Sequence, residues 1–213
     1  MTVTNFGTIN GEGTIAVDLT ASTDALNVEA GSVFIGAIDG GGGSVDLASG
    51  GGTLTGLLSA AGNVTVSGSM ATTTLTGFGT VEVGTGASFT TAGGTIAAAQ
   101  ALIVAGTLTN TGTLTVAGSL TTNGTLAGTG TLALTGGTGS FYTGTSLTIA
   151  KVAQSGTSVA DVADASLTYA GVWTQSAGTI SVATGDKISF TGTGDTFAGT
   201  LAGAWDRGSY RRF

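Results

Sequence analysis

The region from residue 106 to residue 137 repeats a pattern of apolar and small residues every six positions. Its sequence is GTLTNTGTLTVAGSLTTNGTLAGTGTLALTGG, with Gly at 106, 112, 118, 124, 130 and 136 and Leu at 108, 114, 120, 126 and 132. On an α-helix, six residues rotate a side chain by about 600°, so this Leu series would visit three faces and form no apolar stripe. In an extended chain alternate side chains share one face, so every Leu of the series points the same way. The pattern therefore predicts β-strands.

One straight strand of this length would run about 100 Å, far beyond the usual strand, so the chain must bend, and Gly is placed to bend it. We expect each hexad to give one short strand with Leu inward and Thr outward. Three hexads then make a turn of about 18 residues, which stacks Leu108 under Leu126 and Leu114 under Leu132. By the same spacing, Leu120 has Leu102 on one side and Thr138 on the other. These features predict an all-β fold, a parallel β-helix (β-solenoid) with short Gly-punctuated strands.

The apolar-x-apolar element also recurs outside the strict hexads, at irregular intervals that indicate loops of varied length. About twenty elements, at three per turn, predict about seven turns and a rod of about 35 Å. The irregular elements are TIAVDL (14–19), ALNV (25–28), SVFI (32–35), SVDL (44–47), NVTV (63–66), TVEV (80–83), SLTI (146–149), TISV (179–182) and KISF (187–190).

Two alternatives stay open at this point. An antiparallel sandwich or barrel also has short strands and frequent turns, although a six-residue spacing leaves little room for hairpin strands plus a turn. Within GTSVADVADASLTYAG (156–171), Ser158 followed by Asp161 resembles a helix capping box, and Val159 and Val162 fall at helical spacing. A single helical turn, or one strand through Val159 and another through Leu167, would each account for that segment.

Composition limits the function classes. The chain of 213 residues has 40 Gly, no Pro, no Cys, no His and a net charge of -7, which disfavours nucleic-acid binding, thiol chemistry and histidine-based catalysis. Neither a signal peptide nor a membrane-spanning segment is expected in this chain. The low-complexity pattern predicts one solenoid domain over residues 1–203. The tail AWDRGSYRRF (204–213) holds three of the five basic residues and is expected to lie outside the repeating coils.

Three ligand or activity motifs are weak in this sequence. GGGGSVDLA (40–48) approaches the nonapeptide of calcium-binding β-rolls, but Ser44 replaces a Gly and no tandem copy follows. Thr107/Thr109 and Thr113/Thr115 could begin ranks of an ice-binding face, but the positions one turn later are Thr125/Ala127 and Thr131/Ala133. A left-handed hexapeptide acyltransferase would need a catalytic His.

Polysaccharide lyases and hydrolases on β-helices use clustered carboxylates, whereas the twelve acids here are dispersed. We therefore assign no catalytic, cofactor-binding or metal-binding residue and expect no enzyme activity. The closest acid sets are Asp18 and Asp24, Asp39 and Asp46, Asp161 and Asp164, and Asp186 and Asp195.

The aromatic residues divide into two groups by their sequence context. Phe34, Phe89 and Phe190 lie in apolar elements and are expected in the core. A sugar-stacking surface could be formed by Phe141, Tyr142, Trp173 and Trp205.

Residues 128–149, GTGTLALTGGTGSFYTGTSLTI, resemble the passenger-associated repeat of bacterial autotransporters. A looser copy, FTGTGDTFAGTLAG (190–203), resembles it through Phe197, Gly199 and Gly203. The residues that fit the pattern are Gly128, Gly130, Thr131, Leu132, Leu134, Gly136, Tyr142, Thr143 and Gly144.

This resemblance implies a right-handed β-helix on a Gram-negative cell surface, acting as an adhesin, stalk or biofilm-matrix component. We expect a non-enzymatic extracellular module whose partners are a surface receptor or glycan, with the export signal outside this chain. Open strand edges at the two ends also predict end-to-end self-association. A carbohydrate-active or glycan-binding β-helix, including the phage type, and an ice- or calcium-binding solenoid are the alternatives.

Overall fold

The computed structural model describes residues 1–29, 31–47, 52–54, 58–59, 63–66, 69–72, 75–76 and 79–203. Within these ranges the chain is all-β, and its parallel strands stack as a β-solenoid, which confirms the predicted fold class. The predicted tail, residues 204–213, lies outside the described residues. The strands are β1 (Thr2–Asn5), β2 (Thr8–Asp18), β3 (Ala25–Val28), β4 (Val33–Asp39), β5 (Ser44–Leu47), β6 (Gly52–Leu54), β7 (Leu58–Ser59), β8 (Asn63–Val66), β9 (Ser69–Thr72), β10 (Leu75–Thr76), β11 (Thr80–Val83), β12 (Ser88–Ile96), β13 (Ala101–Val104), β14 (Thr107–Val116), β15 (Ser119–Thr122), β16 (Thr125–Leu134), β17 (Thr138–Phe141), β18 (Ser146–Gln154), β19 (Val159–Val162), β20 (Ser166–Tyr169), β21 (Val172–Gln175), β22 (Thr179–Val182), β23 (Lys187–Phe190), β24 (Thr196–Phe197) and β25 (Thr200–Gly203).

Each turn of the solenoid has three sides. The first sheet forms one side and stacks β1, β3, β5, β8, β11, β13, β15, β17, β19, β22 and β25 in that order. The second sheet forms the other two sides, because its long strands, such as β14 and β16, bend in the middle and contribute one arm to each. Near the C-terminal end the arms become separate strands, and β20 pairs with β23 in a small third sheet.

The Leu columns follow the predicted register. Leu108 pairs with Leu126, Leu114 with Leu132, and Leu102 with Leu120, and all are buried. The other neighbour of Leu120 is Gly139, so the expectation of Thr138 was wrong. The reason is one extra corner residue: residues 135–137 separate β16 from β17, whereas only residues 117–118 separate β14 from β15.

The stack is longer than the sequence predicted. Among the described residues the first sheet has eleven strands, which at a spacing of about 4.8 Å span about 48 Å, compared with the predicted length of about 35 Å. The short strands β6, β7, β9 and β10 account for part of the difference, because they lack the apolar-x-apolar pattern by which strands were recognised.

Residues 156–171 form strands in place of the helical turn. β19 and β20 occupy this segment, and Ala160 and Val162 face inward over Gly139 and Phe141. The helical interpretation was wrong, because every second side chain along β19 is buried, as expected for a strand.

The six-residue Gly beat results from close stacking of the corners. Gly112 and Gly124 do not have positive φ, but a Cβ at Gly112 would overlap the carbonyl oxygen of Ala92, and one at Gly124 would overlap that of Gly106.

Inward polar side chains form hydrogen bonds with the main chain at the corners. Asn110, which is buried, donates from Nδ2 to the carbonyl of Gly112 at 2.8 Å and to that of Thr131 in the next turn at 3.0 Å. The corners are therefore fixed both within and between turns.

Candidate interaction surfaces

Two acidic residues in the described C-terminal turns, Asp186 and Asp195, bind the main chain of the preceding turn. Asp186 accepts the backbone N–H of Asp164 at 2.7 Å and that of Ala165 at 3.1 Å, both one turn away. Asp164 has φ of 54°, a conformation that costs a non-Gly residue free energy. Asp195 accepts the backbone N–H of Trp173 at 2.7 Å. These carboxylates stabilise adjacent turns through charge-assisted hydrogen bonds.

Asp24 plays the same role at the N-terminal end. Its side chain is buried and accepts hydrogen bonds from the Met1 ammonium at 2.5 Å and from the backbone N–H groups of Thr20 and Ala21. The hydrogen bond from the ammonium lowers the pKa of this carboxyl, and it outweighs the opposing effect of burial; the backbone donors lower the pKa further.

The predicted acid sets do not form a shared cluster. In the first set, Asp18 is exposed on β2 whereas Asp24 is buried at a corner. Asp39 and Asp46 lie on β4 and β5, which belong to different sheets. The register instead pairs Asp18 with Asp39 on neighbouring strands, a proximity the sequence did not reveal.

Asp161 lies on β19 while Asp164 lies in the corner that follows it. Asp186 binds that corner, whereas Asp195 binds the main chain of β21. No group of three or more His, Cys, Asp or Glu that could hold a metal occurs within the described ranges. In the calcium-like motif, Gly40 to Gly43 form a turn closed by a 2.6 Å backbone hydrogen bond, and β5 follows.

Two of the four aromatic residues considered for a sugar-stacking surface are core residues. Phe141 and Trp173 are both 0% exposed, so they cannot take part in a stacking surface. Tyr142 is exposed, and Trp205 lies outside the described residues. Phe34 and Phe89 are buried, as predicted. Phe89 and Trp173 extend the columns of Leu108 and Leu132, whereas Phe141 lies between Thr122 and Val162.

The turns near the C-terminal end contain an aromatic stack. The ring centroids of Tyr169 and Trp173 are 5.7 Å apart, those of Trp173 and Phe190 5.4 Å, and those of Phe190 and Phe197 4.8 Å. Phe190 packs against the core while remaining partly accessible, and Phe197 is exposed. Burial and the nearby Asp195 charge raise the pKa of Tyr169 to about 12, and its hydroxyl donates to the Ile149 carbonyl at 3.1 Å.

The surface with the most regular chemistry is a column of hydroxyl groups on the outer side of β12, β14, β16 and β18. One row pairs Ser88, Thr107, Thr125 and Ser146, and the neighbouring row pairs Thr90, Thr109, Ala127 and Thr148. We call these two rows the hydroxyl face. Ala127 interrupts the hydroxyl face, as the sequence predicted for the turn that follows Thr107 and Thr109.

The sequence did not identify Ser88/Thr90 and Ser146/Thr148 as parts of this face, because both pairs lie outside the strict hexads. Recognising them required the turn-to-turn register. Hydroxyls both donate and accept hydrogen bonds, so repeated hydroxyls about 4.8 Å apart can contact an extended polar ligand.

One internal cavity of about 10 Å³ lies between the Leu columns and Asn110. Its volume is that of a single water molecule. This cavity is therefore too small for a sugar or an organic cofactor.

In the part of the chain that the structure describes, no helix has the length and apolar character needed to cross a membrane. Comparison with protein-family models, with curated proteins and with solved structures gives no match for this chain.

Proposed function

We propose that this chain is a non-enzymatic structural and adhesive rod at an extracellular bacterial surface. The observation that carries the proposal is that carboxylates and a Trp, which could form an active site or a sugar site, stabilise the fold instead. Asp24, Asp186 and Asp195 bind backbone N–H groups, and Trp173 fills the core, while the outer side of the second sheet presents the hydroxyl face. The resemblance of residues 128–149 to autotransporter passenger repeats supports the cellular location.

The hydroxyl face is the adhesive surface in this proposal. Its hydroxyls project from strands held by the main chain, so binding does not require a loop to become ordered. A neutral, polar, repeating surface suits a surface glycan or an extended protein receptor, because hydroxyl groups recur from turn to turn at every position of the two rows except Ala127.

The experiment is a binding assay with fluorescently labelled protein on a glycan array and on intact bacterial and host cells. Thr107→Val combined with Thr109→Val removes two hydroxyls and keeps the β-branched shape that strands favour. Thr113→Val combined with Thr115→Val makes the same change on the adjoining side of β14 and serves as the matched control. We expect binding to fall only in the first variant. Equal binding by both variants would show that the hydroxyl face is not the adhesive surface.

The competing carbohydrate-active function has its own test. Release of reducing ends from bacterial polysaccharides is measured for the wild type and for Asp186→Asn and Asp195→Asn. We expect no release from the wild type. The structural function would be contradicted if the wild type released reducing ends and either substitution abolished that release without changing the circular dichroism spectrum.

A further inference from the structure

The two ends of the first sheet carry free strand edges that match each other in direction. β1 pairs with β3, and β25 pairs with β22; these are the only partners of the two strands among the described residues. All strands of this sheet run parallel, so β1 of one copy can follow β25 of another with the polarity found within the sheet.

The hydrogen-bonding phase also fits. The Met1 carbonyl accepts from Ala25 and the Asn5 carbonyl from Glu29, which directly follows β3. The main-chain groups of Thr2 and Thr4 therefore point away from β3, toward the free edge. At the other end, Thr200 donates to the Gly178 carbonyl, so the main-chain groups of Leu201 and Gly203 point outward. Placing Thr2 opposite Thr200 brings free donors of one edge to free acceptors of the other.

The same register preserves the inward and outward pattern. Val3 then lies opposite Leu201, and both are partly buried apolar residues packed against the core of their own copy. Thr2 lies opposite Thr200 on the outer side, as Thr179 lies opposite Thr200 within the chain. The contact would therefore extend the apolar column as well as the backbone ladder.

The charge distribution selects the orientation. Residues 1–47 contain six acidic residues and no Lys or Arg, whereas residues 204–213, which follow β25, contain three Arg and one Asp. Two N-terminal ends therefore repel each other, whereas the contact of an N-terminal end with the less acidic C-terminal end avoids this repulsion.

From these matches we propose that the β25 edge of one copy binds the β1 edge of a second copy, head to tail. Such a contact is heterologous and does not close, so it generates filaments instead of a fixed dimer. This assembly does not depend on whether the rod binds a receptor.

The test uses Thr4→Pro, with Thr4→Ala as the matched control. Proline removes the edge N–H of Thr4 without removing a bond to β3, whereas alanine keeps that N–H. Sedimentation velocity and electron microscopy of the full chain should show filaments for the wild type and Thr4→Ala. Thr4→Pro should need a protein concentration about tenfold higher to associate. Unaltered association of Thr4→Pro, or a strictly monomeric wild type, would overturn the proposal.

A mixing experiment distinguishes a blocked edge from a damaged fold. Thr4→Pro retains its β25 edge, so it should add to the β1 edge at one end of a wild-type filament and stop growth there. Filament length should therefore fall as the fraction of Thr4→Pro rises, and Thr4→Ala should have no such effect. A variant that leaves filament length unchanged, or a wild type that stops at dimers, would contradict head-to-tail growth.

Discussion

The middle turns and the C-terminal turns fill the same three-sided cross-section in different ways. From β13 to β16 the apolar core is aliphatic and Gly allows the corners to stack closely. Strands of the first sheet along this stretch and at its end begin at residues 101, 119 and 138. From β17 to β25 they begin at residues 138, 159, 179 and 200, so the turns are longer. There the core contains Tyr169 and Trp173, Asp186 binds a corner, and Asp195 binds the main chain of β21.

This difference shows what a turn needs. Aromatic side chains take more space than Leu, so a turn that contains them needs a longer perimeter and wider corners. In the longer turns Asp186 binds two main-chain N–H groups of a corner, whereas in the middle turns a Cβ at Gly112 or Gly124 would overlap a main-chain oxygen. Core size and corner chemistry therefore vary together along the rod.

The largest expected effect comes from placing a charge in the aliphatic region. Leu120→Asp puts a carboxylate into the column between Leu102 and Gly139, and an unpaired buried charge should cost several kcal/mol or open the turn. Thr121→Asp places the same charge on the outer side and should change the free energy of unfolding by no more than about 0.5 kcal/mol. Urea unfolding compares the two, and limited proteolysis should place new cleavage near residues 102–139. Equal stability would contradict an inward Leu120.

The aromatic region is tested next by Trp173→Ala. Trp173 is fully buried between Tyr169 and Phe190, so its truncation should lower the free energy of unfolding by about 3–5 kcal/mol. Its indole N–H has no hydrogen-bond partner among the described residues, so Trp173→Phe should recover most of the loss. Hydrogen exchange should increase around β20 to β24 and stay unchanged around β14. Uniform loss of protection along the rod would show that the two regions do not respond independently.

Corner packing is tested by Gly112→Ala. The added methyl group meets the Ala92 carbonyl, so the corner must shift, at a cost of about 1–3 kcal/mol. Gly86→Ala is the comparison, because no atom lies near the added methyl and only the positive φ of 78° opposes it, at a cost of about 1 kcal/mol. Thermal unfolding measures both. A smaller effect at Gly112 than at Gly86 would refute the close-stacking explanation of the Gly beat.

At alkaline pH the aromatic region should weaken before the middle turns. The pKa of Tyr169 is raised to about 12, whereas an unfolded Tyr ionises near 10. Its contribution to stability is therefore complete below about pH 10 and is lost as the pH rises toward 12. Hydrogen exchange around β20, compared between pH 9 and pH 11, reports this loss. Tyr169→Phe should remove the pH dependence of that segment.

At acidic pH a smaller effect is expected in the first turn. The pKa of Asp24 is lowered by the Met1 ammonium, so its contribution to stability is present above about pH 4 and is lost as the pH falls through the lowered pKa. Protease sensitivity of residues 1–24 should rise over this range in the wild type. Asp24→Asn should be sensitive at every pH, and an unchanged first turn would argue against a stabilising role for this carboxylate.

Much of the fold could be predicted, because an even-numbered repeat fixes the inward face. Leu102, Leu108 and Leu114 obey that rule, and their neighbours in the following turn were identified from the spacing alone. The error at Leu120 came from a single corner residue, since corner length changes the register without changing the apolar pattern within the strands.

The candidate surface was less predictable for a related reason. Ser146 and Thr148 join Thr125 and Ala127 only through the register of β16 with β18, which depends on how many residues the intervening corners absorb. Inward polar residues such as Asn110 were also hidden, because a rule that places apolar residues inside does not identify a polar side chain that bonds the main chain of two turns.

The stacking direction of the strands has a mechanical consequence. Hydrogen bonds such as that from Thr125 to the Gly106 carbonyl join one turn to the next, so they run along the axis of the rod. A tensile force applied at the two ends loads these bonds in series, one turn after another, instead of shearing a whole sheet at once. The outermost turn should therefore peel off first. Each detached turn of about 20 residues would release about 65 Å of extended chain in place of about 5 Å of folded rod, which makes the protein an extensible tether under load.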